Sequence, residues 1–412
     1  MKKNKTLSTI FLTIFLDMMG IGILIPVFPL LISHASEFCV TPATWTQGDS
    51  YIMSGWLLAT YPLCQFIMSP ILGQLSDRYG RKKILIISIL GTAISYLLFG
   101  LAILYKNIPG LFIARIIDGI SGGNISIAQA VIGDISTPEK RARNFGLIGV
   151  SIGIGFIMGP AIGGILSSPN VYYLFDAATP FWFAAVLAFI NCWLIHKNFN
   201  ETLRFVKTSE IYLTKSIMNI RQIFSLGKLK NIIFVMFLYN FGWSFFTAFW
   251  GVILAQKFDY SQTQIGLFFA YLGVMIVLAQ GGVVRRLSGK ANEVIVLKIA
   301  LLISGLSLSV YHFTSKNHVE LIYWVTPLLA IGSALVKSFS SSLITKLANE
   351  NRLGEAMGIN SSSNALAQVF PMLCAGYIAY FNVESTVLFG SITIVLSWLL
   401  FIVLSKRFIN RD

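Results

Sequence analysis

Residues 51–105 read YIMSGWLLATYPLCQFIMSPILGQLSDRYGRKKILIISILGTAISYLLFGLAILY. Two apolar runs, 51–75 and 84–105, flank a short polar hinge that holds Asp77, Arg78, Arg81, Lys82 and Lys83. Each run is long enough to cross a hydrocarbon core of roughly 30 Å as a helix. Lipid offers no partner to backbone N–H and C=O groups, and a helix satisfies them internally. The hinge charges cannot enter the core, so the pair reads as two membrane helices joined on one side of a bilayer.

Working outward, the same pattern predicts spans at 7–33, 51–75, 84–105, 110–135, 143–167, 177–197, 231–255, 263–284, 293–313, 320–346, 354–380 and 385–405. The 412 residues are 55% hydrophobic and only 12% charged, against about 25% charged in a soluble domain. That balance excludes a soluble enzyme, a disordered chain and a secreted disulfide scaffold. The expected class is an all-α membrane protein with twelve transmembrane helices. The first span resembles a signal peptide in its Lys2 and Lys3, but it is too long, contains Asp17 and is followed by eleven more spans. Cys39, Cys64, Cys192 and Cys374 are too scattered for a disulfide framework or a metal site.

The net charge of +14 has a topological explanation. Of the 31 Lys and Arg, 25 fall in the termini and in the loops after even-numbered spans, while Lys106, Lys257 and Lys316 alone lie in the opposite loops. Positive residues stay on the side of synthesis, so the rich face and both termini are expected to be cytoplasmic, in an inner or plasma membrane. Basic residues so placed meet lipid headgroups rather than nucleic acid.

The longest polar stretch, 198–230, separates a six-span half at 1–197 from another at 231–412. It reads as a cytoplasmic linker, with Ile211–Phe224 as a basic amphipathic segment on the inner leaflet. The halves echo one another: Arg141 precedes Pro160 by 19 residues and Arg352 precedes Pro371 by 19, while Gly73 and Gly80 recur as Gly282 and Gly289. Two repeated halves suit alternating access.

Gly73-Gln74-Leu75-Ser76-Asp77-Arg78-Tyr79-Gly80-Arg81-Lys82 resembles the signature loop between the second and third helices of the major facilitator superfamily. Gly149-x-x-x-Gly153 and Gly155-x-x-x-Gly159-Pro160-x-x-Gly163-Gly164 are similar to that superfamily's antiporter motif in helix 5. Leu111-Phe112-Ile113-Ala114-Arg115-Ile116-Ile117-Asp118-Gly119 resembles its fourth-helix motif, with Asp118 where glutamine or a small residue is common. Leu16-Asp17-Met18-Met19-Gly20-Ile21-Gly22 followed by Pro26 and Pro29, and Glu201-Thr202-Leu203 after span 6, resemble tetracycline-resistance-like drug:proton antiporters. Ser95 stands where that branch often has a carboxylate, and span 9 lacks the acid of tetracycline exporters. The resemblance implies the twelve-helix fold and export, with a substrate other than tetracycline. It also implies that helices 1, 4, 7 and 10 line a central cavity. It implies further that Asp77 and Arg81 meet Asp134 in a charge cluster with Gly73, Arg78 and Gly80, latching the outward-open state. Arg286 falls at the counterpart of Asp77, so this latch is expected in the first half alone.

The residues themselves support candidates, each with a plainer alternative. A charged side chain at a helix centre costs roughly 2.5–3.5 kcal/mol, yet Asp17, Arg115, Asp118, Lys298 and Lys337 lie inside spans. Lys298 is near enough to the end of span 9 to snorkel. Arg115 and Asp118 are three apart and can form a structural ion pair. Asp17 has no charged neighbour on its own helix; it can trade its charge for a proton, or simply bond a neighbouring helix. Asp17 and Asp118 are therefore the proton-coupling candidates. Arg115 and Lys337, with Asn240, Trp243, Phe246 and Trp250 of span 7, are candidates for the substrate cavity, although aromatic runs in spans more often pack. Gly155, Gly159, Pro160, Gly163 and Gly164 read as a close-packing seam.

No phosphate-binding Gly-x-x-x-x-Gly-Lys-Ser/Thr occurs, and His34, His196, His312 and His318 are dispersed. Neither a primary pump nor a membrane enzyme is indicated, and no catalytic residues, cofactor or metal are expected. The expectation is a monomeric, proton-coupled exporter of a small amphiphilic compound. Proton-coupled uptake of a metabolite, sugar or siderophore stays open as the alternative.

Overall fold

The computed structural model describes residues 2–136, 138–203, 212, 214–223, 227, 229–347 and 353–409. Its main elements are α1 (Lys2–Ile32), α2 (Gln47–Tyr79), α3 (Arg81–Leu104), α4 (Ile108–Ser121), α5 (Asn124–Ile135), α6 (Pro138–Leu166), α7 (Thr179–Asn198) and α8 (Lys215–Ile223). They continue as α9 (Leu229–Lys257), α10 (Gln262–Ala279), α11 (Arg285–Leu287), α12 (Glu293–Phe313), α13 (Glu320–Leu347), α14 (Leu353–Phe381) and α15 (Ser385–Ile409). Among the described residues, eleven helices are long and apolar enough to span a membrane, and Val150–Leu166 of α6 is a shorter apolar stretch. All twelve expected spans are therefore helical. Of the expected segment Ile211–Phe224, helix α8 covers Lys215–Ile223, while Ile211, Leu213 and Phe224 lie outside the described residues.

Two spans are not the continuous helices the hydropathy implies. Span 4 is broken into α4 and α5 at Gly122 and Gly123, whose ψ angles of 7° and 1° depart from helical values. The carbonyls at the break find new donors on other side chains. Ser88 Oγ donates to Ser121 O, Gln65 Nε2 to Gly122 O at 2.8 Å, and Ser126 Oγ to Gly123 O at 2.7 Å. This is how a broken backbone is tolerated at membrane depth. Span 8 ends in a π-helical turn, Gln280–Val284, between α10 and α11.

The chain divides into two compact units. Unit 1 holds residues 1–50, 60–216 and 260–270, and unit 2 holds 51–59, 217–259 and 271–412. In unit 1, α1 packs on α6 and α7, and α3 packs on α4 and α7. Unit 2 repeats this arrangement with α9 on α14 and α15, and α12 on α13 and α15. Ile10, Ile14, Leu85, Ile89, Ile127 and Val131 form the centre of the unit 1 core, all buried.

Candidate functional site

The intramembrane charges of unit 1 converge where α1, α4 and α5 meet. Asp17 is 8% exposed, Asp118 5%, Arg115 9% and Asn124 2%. Arg115 Nη1 pairs with Asp118 Oδ2 at 3.3 Å, one turn apart on α4. Its guanidinium also lies over the Tyr61 ring, 4.8 Å from the centroid, a cation–π contact from α2. Arg115 and Asp118 thus compensate one another inside the protein. Asp17 is held differently: its Oδ1 accepts from Asn124 Nδ2 at 2.7 Å, and its Oδ2 is buried with no hydrogen-bond partner. No cation pairs with it among the described residues.

A small cavity beside Asp17 is lined by Thr13, Thr92, Tyr96, Asn124 and Asn191. A second, lined by Gly20, Ser95, Arg115 and Asp118, shares Tyr96 with the first. Tyr96 lines both cavities, its hydroxyl against the Gly20 backbone. Ser95, at the position where a carboxylate was sought, is buried and donates to Thr92 O at 2.8 Å. Sequence reasoning missed Tyr61, Gln65, Tyr96 and Asn124. The available signal was a polar group within an apolar run, as in Gln65, and the Gly122-Gly123 pair preceding Asn124.

At the other end of α5 the expected charge cluster is assembled. Arg81 Nη2 meets Asp77 Oδ1 at 2.5 Å and Arg81 Nε meets Asp134 Oδ2 at 3.1 Å. Arg81 Nη1 donates to Ser76 Oγ at 2.6 Å. Gly80 joins α2 to α3 with φ of 101°, and a Cβ there would lie 2.6 Å from Glu201 Oε2. Glu201 caps α3, accepting from the Arg81 and Lys82 amides at 3.0 and 3.1 Å. In the sequence Glu201 stands out only as part of the Glu201-Thr202-Leu203 motif. Arg78 is outside the cluster, exposed and 5.5 Å from the Tyr79 ring centroid. Gly73 is not tightly packed, since a Cβ would come no nearer than 3.9 Å to Ser126 Oγ.

The second half does carry a counterpart, which corrects the expectation of a one-sided cluster. Glu293, 212 positions after Arg81, pairs at 2.7 Å with Lys346, 212 positions after Asp134. Ser342 Oγ also donates to Glu293 at 2.7 Å. The polarity is reversed: a basic residue opens α3 and an acid ends α5, whereas an acid opens α12 and a base ends α13. Comparison with Asp77 alone hid this, because Arg286 occupies that repeat position.

The glycine-rich face of α6 lies against α1. A Cβ on Gly155 would meet Phe15 O at 2.7 Å, on Gly159 Met19 O at 2.5 Å, and on Gly163 Ile23 O at 2.6 Å. Pro160 fits against Gly22, whose Cβ would lie 2.7 Å from its Cδ. Gly164 faces the other way, within unit 1, toward Gln262 O and Gly266. In unit 2, Gly376 meets Gly55 in the same manner.

In unit 2, Asn240 is half-buried and donates to Met236 O at 2.8 Å and to Asn364 Oδ1 at 3.0 Å. Trp243 is half-buried and stacks on Tyr239 at 6.3 Å. Phe246 and Trp250 are fully buried. Trp250 stacks on Tyr311 at 4.7 Å, and Phe246 packs against both rings. The structure buries these two side chains against Tyr311 of α12, where no ligand-facing surface is left to them. Lys337 is exposed on α13, with no ion-pair partner among the described residues.

Residues 10–319 and 232–410 match the family described as the Major Facilitator Superfamily. A class H tetracycline resistance protein from Pasteurella multocida is 30% identical over 380 residues, covering 92% of this chain and 90% of the relative. Multidrug resistance protein 1 of Bacillus subtilis (strain 168) is 28% identical over 399 residues, 96% of this chain and 95% of the relative. Among solved structures, the human organic anion transporter MFSD10 (TETRAN) is similar with a TM-score of 0.73 at 23% identity, covering 97% of this chain and 100% of that one. A D-xylose-proton symporter reaches 0.74 at 16% identity, with 96% and 97% covered. At these identities the two structures show the fold alone.

Proposed function

The chain belongs to the Major Facilitator Superfamily as a multi-pass secondary transporter, and from that premise we propose that it exports a small amphiphilic compound in exchange for protons. The single observation that carries the reading is Asp17: a buried carboxyl with one oxygen unbonded and, among the described residues, no cation to offset it. A carboxylate removed from water without a counter-charge is costly, so the proton is the counter-charge this site can take. Arg115 and Asp118 form the neutral companion pair, with Asp118 available as a second carrier. Arg115 on α4, Asn240 and Trp243 on α9 and Lys337 on α13 are the proposed substrate contacts. The Asp77–Arg81–Asp134 cluster gates the cytoplasmic side, and the seam of Gly155, Gly159 and Gly163 holds α6 on α1 as the halves alternate. Relatives named for tetracycline and multidrug resistance support export. Monomeric function in the plasma membrane, with both termini cytoplasmic, completes the proposal.

The test is transport in proteoliposomes under an imposed pH gradient, with a panel of radiolabelled drugs and metabolites. Substrate moving against the proton flux supports export. Movement with the proton flux would make the chain an uptake symporter, and indifference to the gradient would remove protons from the mechanism.

A further inference from the structure

Two buried acceptors without donors belong to one pair of side chains. Among the described residues, Asp17 Oδ2 and Asn124 Oδ1 both lack a hydrogen-bond partner, while Asp17 Oδ1 and Asn124 Nδ2 are already bonded at 2.7 Å. Each unbonded oxygen sits on the same planar group as a bonded atom. A buried acceptor without a donor costs about 1–3 kcal/mol, and two on one bonded pair share a single remedy. One proton, placed on Asp17 Oδ2, turns an acceptor into a donor, and Asn124 Oδ1 is the acceptor it lacks.

We propose that Asn124 is a positioning residue for the transported proton, closing an acid–amide ring with Asp17 when Asp17 is protonated. The ring has N–H···O on one edge and O–H···O on the other. This deepens the proton-carrier reading of Asp17 and rests on it. Hydronium delivers the proton, an O–H bond forms at Asp17 Oδ2 and water is left; release to water reverses this. The ionised state keeps one bond between α1 and α5, and the protonated state has two. The proton thereby changes how firmly α5 is held to α1, which is the differential contact a two-state transporter requires.

The location is built for this. Asn124 is the first residue of α5, set there by the break at Gly122 and Gly123. The titratable or charged groups around Asp17 are Asp118 and Arg115 on α4, Tyr96 on α3 and Tyr61 on α2. Thr13, Thr92 and Asn191 supply the neutral remainder. Arg115 and Asp118 are committed to one another, so Asn124 alone bonds the Asp17 carboxyl among the described residues.

Infrared difference spectra of the purified full chain between acid and alkaline pH test the idea. The carboxylic C=O band that vanishes in Asp17→Asn belongs to Asp17; if none vanishes, the proton-carrier reading itself fails. Given that band, Asn124→Leu and Asn124→Ala should move it to higher frequency, because the carbonyl loses its donor. Gradient-driven accumulation should fall about tenfold, as for loss of one hydrogen bond to a charged group, while counterflow at equal pH stays within about twofold. Either variant suffices if the other does not fold. An unmoved band in a folded variant overturns the ring and leaves Asp17 as carrier. Full gradient-driven accumulation in that variant overturns it equally.

Discussion

Asp17 and Arg81 are both buried charges, and their surroundings assign them opposite jobs. Arg81 has two carboxylates and a serine hydroxyl on its guanidinium, so its geometry is fixed. Asp17 has a single amide donor among the described residues, and in the proposed mechanism it exchanges its charge for a proton. Asp17→Asn mimics the protonated form and should keep substrate counterflow while losing accumulation driven by a pH gradient. Full accumulation by this variant in proteoliposomes would move the carrier role to Asp118. Gly80 makes a different residue-scale case. Its φ of 101° is strained for any side chain, and a Cβ would crowd Glu201. Gly80→Ala should therefore cost about 1–2 kcal/mol, from backbone strain with part of the cap lost, read as a lower melting temperature of the detergent-purified protein. An unchanged melting point would show that the α2–α3 corner relaxes freely.

At the scale of elements, the seam between α1 and α6 is a contact of backbone with backbone. A leucine at Gly159 would have to displace the Met19 carbonyl, 2.5 Å from where its Cβ would start, and overpacking of a close seam costs typically 1–3 kcal/mol. Gly159→Leu should abolish accumulation while the protein still reaches the membrane. Gly73→Ala is the contrasting variant: its Cβ would meet nothing nearer than 3.9 Å, and transport near the wild-type level is expected. Equal defects in both, measured in vesicles at matched expression, would mean that the motif glycines act through something other than approach distance. The break in span 4 follows the same logic of replaced bonds. Gln65 and Ser88 hold the carbonyls that the α-helix released, and hydropathy over 110–135 carries no trace of it, since glycine and serine leave an apolar average intact.

Across the whole molecule, each unit carries one ion pair between the start of its third span and the end of its fourth, with reversed polarity. The two pairs differ in environment: side-chain exposure is 8% for Arg81 but 65% for Lys346. Exposed pairs contribute about 0–1 kcal/mol, and removing one partner of a buried pair costs several times more. Arg81→Ala should therefore shift the conformational balance toward inward-open, and Lys346→Gln should shift it far less. Periplasmic cysteine accessibility in membrane vesicles measures both; an equal response would refute the ranking by burial.

The membrane class and the twelve spans were legible in residues 51–105 and their echoes, because hydropathy is a property of consecutive residues, while the meeting of Asp77 and Arg81 with Asp134 was expected only from the resemblance of that loop to a family signature. The sequence also marked Asp17, Arg115 and Asp118, since any charge in an apolar run is conspicuous. It could not separate Trp243 from Phe246 and Trp250, which share a helix and a chemistry yet differ in whether α12 covers them. Nor could it pair Glu293 with Lys346, or bring Asn124 to Asp17 across 107 positions. Those are contacts between helices, decided by which faces pack and where a helix breaks. Only the folded chain holds that information, because a side chain's partner in a bundle is set by rotation and register rather than by its neighbours in sequence.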